Sequence, residues 1–350
     1  MTIHTFEVSS ILDNERYYNI QQDLKTDKDK WERLKNGMCY FGLSNKGITI
    51  KMYRIKKKGF YSYCITYELS ARRVFDNDNH VGLFDAENYP LLNKKVNKLL
   101  RKKSKLLPEL DNCKLRRIDW CINVELESQE QVKAYIETVR RANIPAGMER
   151  FTIKNKPTKD DMTVISEGYA AVSIYNKQSQ MIKENKRRQK KIFSDKDIRA
   201  AEKIVRIEIR CFEGKVKALK KKHHIISIDD FMDYADLIGK DLYRYYLTKM
   251  LSESTIYTLK EARERIELSG YKKENRELLD NFLTESNESR SAAKSIAFYK
   301  EFYGDKEMKR ILYMLEQIDV NYVTVTGKVS KQFRDGYIPT PYELFMECEF

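Results

Sequence analysis

A chain of 350 residues with 41% apolar and 34% charged side chains has enough apolar matter for a large core and length for about two domains of 100 to 200 residues each, which excludes a disordered protein. Its net charge of +14 implies an anionic partner, and nucleic acid is the commonest one; a lysine-rich solvated surface is the alternative. Six cysteines at 39, 64, 113, 121, 211 and 348 form no C-x-x-C pair, so a zinc ligand set is excluded and reduced, cytosolic thiols are expected.

No apolar run approaches the roughly 20 residues a membrane span needs, and the N-terminus has no secretory cleavage pattern. A cytoplasmic protein with no membrane partner is expected. In chain order, strands are predicted at Cys39–Leu43, Ile48–Lys56 and Tyr61–Leu69, separated by turns at Asn45-Lys46-Gly47 and Lys57-Lys58-Gly59. Pro90 opens a helix to about Lys103, with Leu91, Leu92, Val96, Leu99 and Leu100 at helical spacing. A strand around Asp119 follows, then a helix from about Ser128 to Ala142 with a capping signal at its start. A strand from Arg150 to Lys154, one around Tyr175, a basic helical segment and one around Glu208 complete an α+β region. Residues 1–214 are thus read as an antiparallel or mixed sheet with packed helices. Residues 215–350 are read as an all-helical C-terminal domain, with helix-period runs at Ile228–Leu237, Leu242–Leu251, Leu259–Leu268, Arg276–Leu283 and Met308–Ile318.

Three short strands carry most of the chemistry. The two-residue period puts Arg117, Asp119, Cys121, Asn123 and Glu125 opposite Ile118, Trp120, Ile122 and Val124. It likewise puts Ser173, Tyr175 and Lys177 on one side of their strand, and Arg206, Glu208 and Arg210 on one side of theirs. If the three strands are neighbours, Asp119 and Glu208 are hard oxygen ligands for Mg²⁺ or Mn²⁺, while Tyr175 is a candidate nucleophile and Lys177 a cation beside it. Two alternatives stand beside this reading: the carboxylates pair with Arg117, Arg206 and Arg210 across the sheet, and Tyr175 is a packing aromatic among 23 tyrosines, with Tyr169 its competitor as nucleophile. Arg117, Arg206 and Arg210 are otherwise candidate nucleic-acid contacts. Basic clusters at Lys56-Lys57-Lys58, Arg101-Lys102-Lys103, Lys186-Arg187-Arg188 with Lys190-Lys191, and Lys220-Lys221-Lys222 together suit a phosphate track. The four histidines, His4, His80, His223 and His224, supply no metal triplet, and no phosphate-binding glycine loop is present, so nucleotide hydrolysis is excluded.

Arg117-Ile118-Asp119, Tyr175-Asn176-Lys177 and Arg206-Ile207-Glu208, in this order, resemble the replication initiators of rolling-circle plasmids and filamentous-type phages, which carry Arg-x-Asp, Tyr-x-Lys and Arg-x-Glu strands. The tail, Ile318-Asp319-Val320-Asn321-Tyr322-Val323-Thr324 followed by Tyr337-Ile338-Pro339-Thr340-Pro341, resembles the Asn-Pro turn and Leu-Pro-x-Pro-like ends of such proteins, with Tyr322 at the place of the proline. The resemblance spans roughly residues 39 to 345. It implies an enzyme that nicks one strand of origin DNA, holds the 5′ phosphate on tyrosine and later rejoins the ends, with Asp119 and Glu208 as metal ligands and Tyr175 as leading nucleophile. The paired-histidine metal motif of many such nickases is absent, so the implied branch is the one that uses carboxylates. The implied DNA is an origin, single-stranded or hairpin, with a host helicase and a homodimer as further partners.

Overall fold

The computed structural model describes residues 2–57, 59–75, 81–151, 161–188, 192–333 and 337–349. Lys58, His80, Lys190, Lys191 and the 152–154 end of the expected strand lie outside the described residues, as do the side chains of Lys57 and Arg188. The strands are β1 (Thr2–Leu12), β2 (Trp31–Leu34), β3 (Gly37–Tyr40), β4 (Ile48–Lys57), β5 (Phe60–Ser70), β6 (Phe84–Asp85), β7 (Lys114–Glu125), β8 (Glu149–Arg150), β9 (Asp161–Ser166), β10 (Ala170–Asn176) and β11 (Ile204–Cys211). The fold class is α+β, an antiparallel sheet with packed helices and a C-terminal region built of helices.

The chain forms two compact units interleaved in sequence. One comprises Met1–Cys121, Glu167–Ala170 and Ile209–Lys240; the other comprises Ile122–Ser166, Ala171–Glu208 and Asp241–Phe350. Strands β7 and β11 each contribute residues to both.

In the first unit the strand order is β2-β3-β4-β5-β1-β7, with β6 also on β1. Alternation sets its chemistry: Phe6 and Val8 of β1 are buried, while Glu7 and Ser9 lie on the opposite face. The turn into β4 needs glycine. Gly47 has φ of 75°, and a Cβ there would stand 2.6 Å from the Ser70 carbonyl oxygen. Two helices cover the apolar face. Asp13 caps Asn14–Lys25 by accepting from the Arg16 amide at 2.7 Å, and that helix buries Tyr17, Ile20 and Leu24. The second, Tyr89–Arg101, carries proline in its first turn and buries Leu92, Val96 and Leu100 at i, i+4 and i+8. Each of those three contributes on the order of 1.5–3 kcal/mol by leaving water, so Val96→Asp would undock the helix. Trp120 of β7 is wholly buried; its indole N–H donates to the Ala235 carbonyl at 3.0 Å and its ring lies 6.1 Å from that of Phe231.

In the second unit the order is β7-β11-β10-β9-β8. Ser128 caps the helix Gln129–Val139 by accepting from Gln131 N–H at 3.1 Å, and Val132, Tyr135, Ile136 and Val139 form its buried stripe. Tyr243, on the helix Ala235–Met250, donates to the Ile207 carbonyl of β11 at 2.8 Å and stacks on Phe345 with centroids 5.0 Å apart. The helices Lys273–Ser289 and Ala292–Gln317 pack through Leu279, Phe282, Leu283, Ile311 and Leu315. The tail is tied to this core rather than trailing from it. Buried Asn321 donates to the Ser254 carbonyl at 2.8 Å and accepts from Val323 N–H at 3.0 Å, while the Tyr322 hydroxyl donates to the Met250 carbonyl at 2.8 Å.

Candidate active site on the central strands

The three motif-bearing strands are neighbours, in the order β7-β11-β10. That much follows the expectation from the sequence. What differs is burial. Period-two alternation describes a strand with one solvated face, yet β11 is buried along nearly its whole length, its polar positions included. Polar groups in such a strand must find partners inside the protein.

Arg206 is completely buried, at 0% exposure, and its Nε donates to the Asn123 side-chain oxygen at 2.7 Å. As a nucleic-acid contact it is therefore corrected: the guanidinium holds β7 and β11 together inside the second unit. Glu208, two residues on, is 6% exposed, and its Oε2 accepts the hydroxyl of half-buried Tyr175 on β10 at 3.2 Å. A tyrosine oxygen and a carboxylate are thereby set within proton-transfer distance on two strands.

Lys177 is not on the strand face of Tyr175. Strand β10 ends at Asn176, whose side-chain oxygen accepts from Ser179 N–H at 2.9 Å and so caps the helix Lys177–Arg188. Lys177 opens that helix, buried, with its ammonium donating to the Gln180 side chain at 2.9 Å and standing 5.9 Å from the Phe193 ring centroid. Tyr169, the competing tyrosine, is not on a strand. It lies in the turn before β10, exposed, with its carbonyl accepting from Phe212 N–H at 2.9 Å and its ring 5.2 Å from the Lys215 ammonium.

Asp119 belongs to a charge chain within the first unit. Its carboxylate is 1% exposed; one oxygen faces Arg117 Nε at 3.2 Å and the other Arg210 Nε at 3.1 Å. Arg117 in turn reaches Glu7 at 3.9 Å and Glu68 at 3.8 Å, and Glu68 accepts from Lys51 at 2.8 Å. Burial tends to raise the Glu68 pKa, but the Lys51 hydrogen bond and the charges of Lys51, Arg117 and Arg210 outweigh it and hold the carboxyl below the usual range. Burial, reinforced by the Asp119 charge and opposed by Lys215, pushes the neighbouring Cys211 thiol far up. The cross-strand pairing alternative thus describes Arg117 and Arg210. The sequence reading does not single out Glu7, Lys51 and Glu68; the alternation of β4 and β5 is the signal that points to Lys51 and Glu68.

As arranged, Asp119 anchors two arginines and presents no open oxygen to a cation. Among the described residues no group of three or more His, Cys, Asp or Glu side chains is placed to hold a metal ion.

The basic clusters have local uses. Arg187 forms a double hydrogen bond with Glu184 at 2.9 and 2.7 Å, and Lys186 is exposed beside it. Lys220, Lys221 and Lys222 close the helix Glu213–Lys222, where cations complement the helix dipole, and Lys220 donates to the Ile226 carbonyl at 2.7 Å. Lys221 and Lys222 remain exposed. Among the described residues no helix is long and apolar enough to cross a membrane. No protein-family model, curated protein or solved structure matches this chain.

Proposed function

We propose that this chain is a cytoplasmic DNA strand transferase of the rolling-circle initiator type, with Tyr175 as nucleophile and Glu208 as the acceptor of its proton. The hydrogen bond of 3.2 Å between them is the observation that carries the reading: nucleophile and base stand within reach on adjacent strands rather than on loops. At rest the proton is on the tyrosine oxygen, which donates it in a hydrogen bond to the carboxylate. It passes to Glu208 only as the new bond forms. The phenol oxygen attacks phosphorus, the bond to the 3′ oxygen breaks with its electron pair, and the proton held by Glu208 goes to that leaving oxygen. The phosphotyrosine remains a diester, so attack by a free 3′ hydroxyl reverses the step and rejoins the strand.

The test is incubation with supercoiled plasmid carrying the DNA that flanks this protein's own reading frame, in Mg²⁺, Mn²⁺ and EDTA arms. Expected products are open circles and a denaturant-stable adduct whose nucleotide maps to Tyr175 by mass spectrometry, both lost in Tyr175→Phe. An adduct on Tyr169 or another tyrosine refutes the assignment. Binding without any adduct supports a non-enzymatic nucleic-acid-binding protein instead. A host helicase and a second copy of the chain are the partners this reaction would take.

A further inference from the structure

The β4–β5 hairpin outruns the sheet it belongs to. Strand β3 pairs with β4 only as far as Gly37 opposite Tyr53, and β1 pairs with β5 only as far as Leu12 opposite Tyr63. Beyond them the hairpin continues alone for three rungs, Ile55 with Ser62, Lys56 with Tyr61 and Lys57 with Phe60. At about 3.4 Å per residue that is a free two-stranded ribbon of roughly 10 Å. From Arg54 to Ser62 the chain carries four cations and no carboxylate. Arg54 and Lys56 share one face of β4 and flank the Tyr61 ring at 5.6 and 5.8 Å from its centroid, which holds both cations outward beside an aromatic plane. Arg54 is further steadied by Tyr18, whose hydroxyl accepts from it at 3.3 Å. Phe60, near the tip, is 80% exposed and Tyr61 53%.

We propose that this ribbon is a duplex-DNA-binding element that enters the major groove. The groove is about 12 Å wide and 8.5 Å deep and admits a two-stranded ribbon, so the free length matches its depth. Arg54 and Lys56 meet the phosphates along its wall and Phe60 meets base edges at its floor. An apolar protein partner would be served by Phe60 alone, whereas the exposed pair Arg54 and Lys56, with no carboxylate from Arg54 to Ser62, selects a polyanion. The inference shares a DNA partner with the proposed strand transfer and needs none of its tyrosine chemistry.

The experiment is fluorescence anisotropy with a labelled 20-base-pair duplex lacking the origin, and with its single strand, at several salt concentrations in EDTA. Wild-type protein binds the duplex more tightly than the single strand. Arg54→Ala/Lys56→Ala weakens duplex binding on the order of tenfold or more and makes the log–log salt slope shallower by roughly 1.8, about 0.9 per lost phosphate contact. Phe60→Ser weakens binding with an unchanged slope. Unaltered circular dichroism and urea midpoints show that both variants fold. Variants with wild-type affinity and slope, or a wild-type preference for the single strand, overturn the inference. Neither result bears on whether Tyr175 forms an adduct, which the origin plasmid reports separately.

Discussion

Replacing Asp119 by asparagine separates a structural carboxylate from a chemical one. The side chain is 1% exposed and lies between Arg117 and Arg210 at 3.2 and 3.1 Å, and asparagine keeps its shape while removing the charge. Stripping one partner from a buried ion pair costs roughly 3–5 kcal/mol. Here the cost is smaller, because Arg210 is 38% exposed and Arg117 retains Glu7 and Glu68. That reduces the expectation to about 2–3 kcal/mol, since a half-solvated guanidinium regains water when its partner is lost. Both tryptophans, Trp31 and Trp120, lie in the first unit, so their fluorescence follows its unfolding in urea. With a slope of about 2–3 kcal/mol per molar, the midpoint should fall by about 1 M. Adding Arg210→Met should recover part of the loss, a coupling of about 1 kcal/mol or more in a double-mutant cycle. An unchanged midpoint would refute the ion-pair reasoning. An unchanged midpoint with lost nicking would return Asp119 to the chemistry.

Thiol and proton titrations check the rest of the interior. Cys348 is exposed while Cys39, Cys64, Cys113, Cys121 and Cys211 are buried, and burial pushes Cys39 to about 11 and Cys113 to about 12; at pH 8 a disulfide reagent should find one fast thiol equivalent, with the remainder released only in denaturant. Two or more fast equivalents would contradict the packing. Because the folded Glu68 pKa is depressed, the stability it contributes is present above the unfolded value of about 4.3 and is lost as pH falls through the lower folded value. The difference in urea midpoint between wild type and Glu68→Gln should therefore be constant near neutrality and shrink below about pH 4.3; a gap that widens on acidification would show the sign to be wrong.

Strands and helices with an unbroken period were legible in the sequence. β4, β5, β7, β10 and β11 all fall where alternation places them, and Leu259–Leu268 matches its helix residue for residue. Strand β1 is not legible in the sequence, because its register shifts opposite β7 place buried Thr5 and Phe6 side by side and break the alternation. The run at Met308–Ile318 is the second part of Ala292–Gln317, which Gly304, at φ of 82°, interrupts. Alternation carried Lys177 one residue too far, past the point where the Asn176 side chain caps a helix and ends the strand.

Periodicity states which residues share a strand face, and that is as far as the sequence by itself determined the candidate site. It does not state what lies over that face, so the burial of Arg206 and Glu208 on β11 was decided by tertiary packing. Nor does it choose partners. Sliding a strand by two residues preserves every face and changes every neighbour, and hydrogen bonds and ion pairs near 3 Å depend on the neighbour. Whether Asp119 meets Arg210, and Glu208 meets Tyr175, is therefore settled by the register of strands far apart in the chain, which only the folded sheet possesses.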